Sequence, residues 1–369
     1  MKFSLFFEMQ ISDPTRASES RLFQNTVEQA VLADMLGYHR VWAVEHHGLY
    51  EYAHSAAPEI FLSFVAARTK NIRIGHGVSL TAKGYNHPIR VAERVATLDI
   101  LSGGRVDWGS GKSSSNLEAP LFGINPADLE GQWREAIEMI PQMWQKDVFS
   151  WESANYSIPP THIVPKPVQA PHPPLFAPAA VSTETIRKLG TMGLGVLNFS
   201  TSTFDDLKNR VAMYRDAVTA STVSGRAINN SFSVTANTCV LDDDDMACAH
   251  GFRGARYFRD SFAQYYHQSD RPQIGRLPVD RSEWSPRMLE MTKSMRFNEQ
   301  SQLLSIVGDP QVAREKVAIF EAAGIDELIL VMQLGTVPHE ITMQSIRTFA
   351  EKVMPYFAKD TDLVTTQFA

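Results

Sequence analysis

Several short stretches of this 369-residue chain place proton-exchanging or anion-binding side chains directly after apolar runs. The first is Glu45-His46-His47, which follows the apolar run 40–44. An imidazole exchanges protons near neutral pH, and a neighbouring carboxylate can select its tautomer. Two adjacent histidines rarely face the same way. His46 is the candidate functional group, His47 the candidate structural one, and Glu45 either assists His46 or serves as a buried hydrogen-bond acceptor.

The second stretch, Gly109-Ser110-Gly111-Lys112-Ser113-Ser114-Ser115, offers backbone donors, a cation and hydroxyls of the kind that surround a phosphate. It is not a Walker A loop, because Val106 stands where the first glycine would be. Rossmann spacing fails too, with Ser114 in place of the third glycine. Ser182-Thr183-Glu184 adds another hydroxyl at a helix start and so a second anion contact. Between these stretches, Ser79-Leu80-Thr81-Ala82 and the following loop to Asn86 could hold a planar ring, with Thr81 or Asn86 hydrogen bonding to it. Metal catalysis is not expected: His46, His47, His54, His76 and His87 form no His-Glu-x-x-His pattern, and adjacent imidazoles chelate poorly.

These stretches need a scaffold that brings several strand ends together. Apolar runs at 2–7, 40–44, 72–78, 105–108, 175–177, 194–198, 232–240 and 325–332 read as strands. Helical patterns separate them, at 21–36, 58–69, 88–101, 128–144, 183–190, 204–220, 242–270 and 309–323, with a closing helix at 338–357. Alternation of this kind, without a low-complexity linker, predicts one α/β domain over 1–369: a (β/α)8 TIM barrel. Insertions are expected after strands four and seven, at 145–174, where 150–174 reads as irregular, and at 271–301. An open doubly wound sheet is disfavoured because no Gly-x-Gly-x-x-Gly follows the first strand. In a barrel the carboxyl ends of the strands carry the chemistry, and that is where the polar stretches fall. Trp108, Trp133, Trp144 and Trp151 either shape a pocket or pack in the core, and Tyr257, Tyr265 and Tyr266 either meet a substrate or face solvent.

Composition narrows the class. With 41 acidic against 35 basic residues, the formal charge is -6, which gives no footprint for nucleic acid. Cys239 and Cys248 are the two cysteines, too few for a disulfide framework or a metal–thiolate cluster. Neither an export signal nor a membrane-length apolar run is evident, so a cytoplasmic protein is expected.

Four segments together are specific: Met1-Lys2-Phe3; Gly37-Tyr38-His39-Arg40-Val41-Trp42 leading into Glu45-His46-His47; His87-Pro88-Ile89-Arg90-Val91-Ala92-Glu93; and Leu98-Asp99-Ile100-Leu101-Ser102-Gly103-Gly104-Arg105. In these the chain resembles the bacterial luciferase-like flavin-dependent monooxygenases. The resemblance implies a (β/α)8 barrel, usually a homodimer, that takes reduced FMN (FMNH2) from a separate NAD(P)H:flavin reductase. It implies reaction with molecular oxygen to a C4a-(hydro)peroxyflavin and oxygenation of a small organic substrate by hydroxylation or Baeyer–Villiger insertion. By motif, His46 corresponds to the histidine beside the reactive flavin edge and Glu45 to its buried partner. Lys112 stands where luciferases use an arginine at the flavin phosphate, and Ser182 falls in the second phosphate segment. Gly111 occupies the place of a nonessential luciferase cysteine, while Pro178 and Ala179 replace a glutamate and a serine. Together with the loop residues read above, the expected cofactor contacts are Thr81, Asn86, Gly109, Gly111, Lys112 and Ser182. Two alternatives stand beside this reading, an F420-dependent oxidoreductase transferring hydride and a non-catalytic flavin-binding protein.

Overall fold

The computed structural model describes residues 1–357 except 114, 116, 181, 200–202 and 267–304. In chain order its first elements are β1 (Lys2–Phe7), α1 (Arg16–Met35), β2 (Arg40–Ala43), α2 (Pro58–Arg68), β3 (Arg73–Leu80), α3 (Pro88–Ser102), β4 (Val106–Gly111), α4 (Glu118–Leu121) and α5 (Leu129–Gln145). Next come β5 (Phe149–Glu152), β6 (Ser157–Thr161), β7 (Leu175–Ala179), α6 (Thr183–Thr191), β8 (Gly195–Asn198), α7 (Phe204–Thr219), β9 (Phe232–Val240) and α8 (Asp244–Tyr266). The last are β10 (Ser305–Gly308), α9 (Pro310–Ala322), β11 (Glu327–Val331) and α10 (His339–Lys352).

Side-chain chemistry sets several helix starts. Thr15 and Ser18 form a capping box at α1, His87 caps α3 ahead of Pro88, and Asp309 accepts from two backbone N–H groups ahead of Pro310. The strands β1, β2, β3, β4, β7, β8, β9 and β11 pair in parallel around a ring that closes through β8–β9 and β9–β11. The expected (β/α)8 barrel is therefore the observed fold, with each of its eight strands at a site read from the apolar runs.

Three features depart from the sequence reading: a hairpin, a ninth strand and the short helix α4, which the sequence reading did not place. Residues 150–174, expected to be irregular, include all but the first residue of an antiparallel hairpin, β5–β6. Pro159 and Pro160 hide β6 from a propensity argument, yet proline is tolerated in a two-stranded ribbon because each strand has a free edge. A ninth parallel strand, β10, pairs with β9 from Asn237 to Val240, on the edge opposite β11 and past Val234, where β8 leaves it. Its four residues end at Gly308, too short to carry a periodic signal. The segment 271–301 lies outside the described residues.

The barrel wall is buried on both sides. Inside it, Phe6, Trp42, Phe176, Leu197, Ile329 and Val331 fill the interior, while Leu5, Val41, Ile74 and Val106 face the helix layer with Leu62, Val65 and Val95. Each large apolar side chain buried in this way contributes about 1.5–3 kcal/mol. At the amino ends of the strands the interior changes to an ionic plug. Arg40 bonds Asp107 and Glu327, each at 2.7 Å, and Arg73 adds a second guanidinium to Asp107 at 2.6 Å. Glu327 also accepts from Trp42, Ser233 and Ser4. With every charge partnered, the plug closes one end of the barrel and leaves chemistry to the other.

Candidate active site

At the carboxyl ends of β1 and β2 the chain releases Glu8 and Glu45-His46-His47, and the two histidines turn to different partners. His46 Nδ1 lies 3.1 Å from Glu118 Oε1, supplied by α4. His46 Nε2 faces Tyr266 Oη of α8 at 3.2 Å and Glu8 Oε2 at 3.7 Å. Tyr52 stands edge-on to the imidazole and donates its hydroxyl to Glu8 Oε1 at 3.0 Å. The His46 side chain keeps 14% exposure, whereas Glu118 keeps none.

These distances fix the charges. Burial pushes the His46 imidazole down, but the charge and hydrogen bond of Glu118, then Glu8 and Glu45, push it up further, to about 9. Burial raises Glu118, yet His46, Ser113 and the His47 backbone N–H outweigh it and hold its carboxyl below the usual value. Glu8 goes the other way: burial raises it, His46 and Tyr52 offset part of this, and it comes to about 7. At neutral pH, His46 is a cationic donor clamped to an ionised Glu118, beside a carboxyl that titrates.

Glu45 meets His47, not His46. Its Oε1 lies 3.2 Å from His47 Nε2 and accepts from Asn86 at 2.8 Å, and its Oε2 accepts from the Leu80 backbone N–H at 2.7 Å. One buried carboxylate thus ties the end of β2 to the loop leaving β3. Asn86 also donates to the Leu80 carbonyl and accepts from Arg94, so its amide is used in holding that loop. Thr81 is fully buried and bonds the Gly111 carbonyl from its backbone N–H at 3.1 Å, joining β3 to the end of β4.

The glycines of the phosphate-type loop are required first by β3. A Cβ on Gly109 would come within 2.3 Å of the His76 carbonyl oxygen, and one on Gly111 within 2.6 Å of Val78 Cγ2, where the β3–β4 register shifts. Beyond them Lys112 is 47% exposed and pairs with Glu130 at 2.5 Å, while Arg134 holds the other oxygen of Glu130. Ser182 is exposed and caps α6 by accepting from the Thr185 N–H at 3.2 Å. Since β4 and β7 are paired neighbours, Lys112 and the amino end of α6 leave the same side of the barrel. The donor set fits a phosphate: an ammonium that can exchange a surface carboxylate at little cost, and the positive end of a helix.

Sequence reasoning missed Glu8, Tyr52 and Glu118 as members of the site. Glu8 carried a signal, an acid placed directly after the first apolar run. Glu118 and Tyr52 carried none, because loop closure brings them in. Tyr266, read as facing either substrate or solvent, faces His46. Trp108, Trp133 and Trp144 belong to the layer between strands and helices. Buried Asn198 ties β8 to β7 by donating to the Ala179 and Ala180 carbonyls, and its Oδ1 has no hydrogen-bond partner among the described residues. Among the described residues no helix is long and apolar enough to cross a membrane, and no three His, Cys, Asp or Glu side chains form a metal site.

Comparison with known proteins follows the same lines. The family model described as luciferase-like monooxygenase matches residues 1–327. The 4-hydroxyprotoasukamycin monooxygenase of Streptomyces nodosus subsp. asukaensis is 28% identical over 93% of this chain and 89% of its own. The crystal structure of the monooxygenase RslO1 from Streptomyces bottropensis superposes with a TM-score of 0.81 at 23% identity, covering 97% of this chain and 100% of that one. The oxygenating constituent of 3,6-diketocamphane monooxygenase from Pseudomonas putida, solved with FMN, gives 0.71 at 20% identity over 96% and 98%. Two F420-dependent enzymes share the barrel as well, with TM-scores of 0.74 and 0.70 at 17% and 16% identity, so the fold alone does not choose the cofactor.

Proposed function

Because the chain belongs to the luciferase-like monooxygenase family and is thereby an FMN-dependent monooxygenase, we propose that it is the oxygenase of a two-component system. It accepts reduced FMN from a separate NAD(P)H:flavin reductase and uses molecular oxygen to hydroxylate a small organic substrate or to insert oxygen beside its carbonyl. The observation that carries this reading is the His46 cation, clamped between Glu118 and Glu8 on the side of the barrel where Lys112 and the start of α6 offer an anion site.

Bound FMN would supply the electrons that activate oxygen. The work of this chain is placement and proton control. Lys112, on leaving Glu130, would meet the phosphate together with the α6 backbone and Ser182. Lysine presents a point charge, so the contact is less directional than a guanidinium fork. Glu45, with Asn86, Thr81 and the glycines 109 and 111, sets the β2, β3 and β4 exits against which a planar ring would lie. His46 directs a proton from Nε2 while Glu118 fixes its orientation through Nδ1.

Anaerobic titration with reduced FMN and with F420 tests the cofactor assignment: tighter binding of reduced FMN is expected, and tighter binding of F420 overturns it. His46→Asn should still bind reduced FMN yet lose oxygenated product across a panel of cyclic ketones and phenols. An unchanged yield of product removes His46 from the mechanism.

The homodimer reading has its own support on the outer layer. Ile60 and Phe64, one turn apart on α2, are 70% and 53% exposed, and Leu101 on the adjoining α3 is 71% exposed. Exposed apolar side chains on neighbouring helices are what a subunit interface would cover. Sedimentation should show a dimer that Phe64→Glu dissociates; a parent chain that sediments as a monomer refutes it.

A further inference from the structure

Glu8 is 2% exposed, and its two oxygens differ. Oε1 accepts the Tyr52 hydroxyl, while Oε2 has no hydrogen-bond partner among the described residues and faces His46 Nε2 from 3.7 Å. A permanently ionised carboxylate in this position would leave a buried lone pair unsatisfied, which is costly; a carboxyl that takes the proton of His46 Nε2 can donate it back to that nitrogen and avoids that cost. The second nitrogen of His46 is already engaged by Glu118, which stays ionised. Glu8 is therefore the neighbour of His46 with room to gain a proton.

We propose that Glu8 is the proton store of the site, a positioning residue that takes a proton from His46 Nε2 and returns it. In the forward step the Nε2–H bond breaks as Glu8 Oε2–H forms, the pair closing from 3.7 Å to hydrogen-bond distance; a cation and an anion become two neutral groups. The return step restores both charges. No net charge moves, so the exchange is compatible with the buried setting. The titratable groups around Glu8 are His46 and Tyr52 after β2 and Glu118 on α4, with Tyr266 of α8 sharing His46 Nε2. Of these, His46 and Tyr52 favour the ionised carboxylate, whereas burial and Glu118 favour the acid, which leaves the two forms close in energy at neutral pH.

This inference rests on His46 as the proton-handling group of the proposed oxygenase, but its test needs neither cofactor nor substrate. The imidazole nitrogen resonances of His46, assigned by comparison with His46→Asn, are followed against pH in the full chain. The parent should show an inflection near neutral pH, from Glu8, before the imidazole loses its own proton. Glu8→Gln, which keeps shape and the bond from Tyr52, should abolish that inflection and weaken proton binding at His46 about tenfold. Tyr52→Phe removes a donor that favours the carboxylate and should move the inflection to higher pH, and it decides the matter if Glu8→Gln does not fold. An inflection that persists in Glu8→Gln, or that Tyr52→Phe leaves in place, overturns the proposal. Coupled titration without product formation would instead count against the oxygenase reading alone.

Discussion

Replacing Glu118 by glutamine removes one charge from the site while keeping its shape. The amide oxygen can still accept from the His47 backbone N–H, bonded at 2.8 Å, and the amide nitrogen can donate to Ser113 in place of accepting from it. What is lost is the anion 3.1 Å from His46 Nδ1. His46 sits at about 9 against an ordinary 6.5, and Glu118 is the foremost influence that outweighs burial. That difference corresponds to about 300-fold in proton affinity, or about 3 kcal/mol. Without the Glu118 charge, burial regains the upper hand and the imidazole should return to its ordinary value or below. At slightly alkaline pH the parent would hold about thirty charged imidazoles for each neutral one, and the variant fewer than one. Nitrogen-resolved NMR titration of His46 reads this directly, with a thermal melt to show that the barrel is intact. A folded Glu118→Gln protein whose His46 still titrates near its parent value would refute the electrostatic account.

Both Glu8 and His46 have folded-state values above their ordinary ones, so the stability tied to them is present below the ordinary values and is lost as pH rises through about 7 and about 9. Urea midpoints should accordingly fall between neutral and alkaline buffer by up to about 3 kcal/mol in stability, the His46 part; flat midpoints contradict the shifts. His39 and His76, pushed down by burial to about 3 and about 4, add stability as pH rises to their ordinary 6.5 and so oppose Glu8 below it; above that value they are silent. In the ionic plug, Asp107→Ala leaves Arg40 and Arg73 facing each other without their shared carboxylate and should cost about 3–5 kcal/mol by chemical denaturation. Lys112→Ala should weaken reduced FMN binding in an anaerobic titration without lowering the melting temperature, because its pair with Glu130 is exposed and contributes at most about 1 kcal/mol. Lys112→Arg should retain binding.

The barrel was legible because each strand and each helix announces itself locally. The apolar runs stand apart, and helix starts such as Thr15 and His87-Pro88 carry their own caps. What stayed hidden was short or broke a propensity rule, as β10 and the proline-bearing β6 show. The site was legible only in part, for a related reason. His46 lies in a dense local motif, but its partners arrive from far along the chain, Glu118 from 72 residues away and Tyr266 from 220. No spacing rule reaches across such distances; closure of the barrel does. Glu45 illustrates the converse, since adjacency in sequence suggested a partner for His46 whereas the loop after β2 turns it toward His47, Leu80 and Asn86. Lys112 was found from charge and neighbouring glycines, although those glycines answer to the packing of β3 as much as to any ligand.

The central claim is that this barrel holds reduced FMN and controls its reaction with oxygen. Rapid mixing of the anaerobic complex with oxygenated buffer, followed by flavin absorbance, tests it most directly. Return of the oxidised flavin spectrum should be delayed relative to free reduced FMN, and the delay should shorten in His46→Asn while binding persists. Reoxidation indistinguishable from that of free FMN, at concentrations where the complex is formed, would contradict the account.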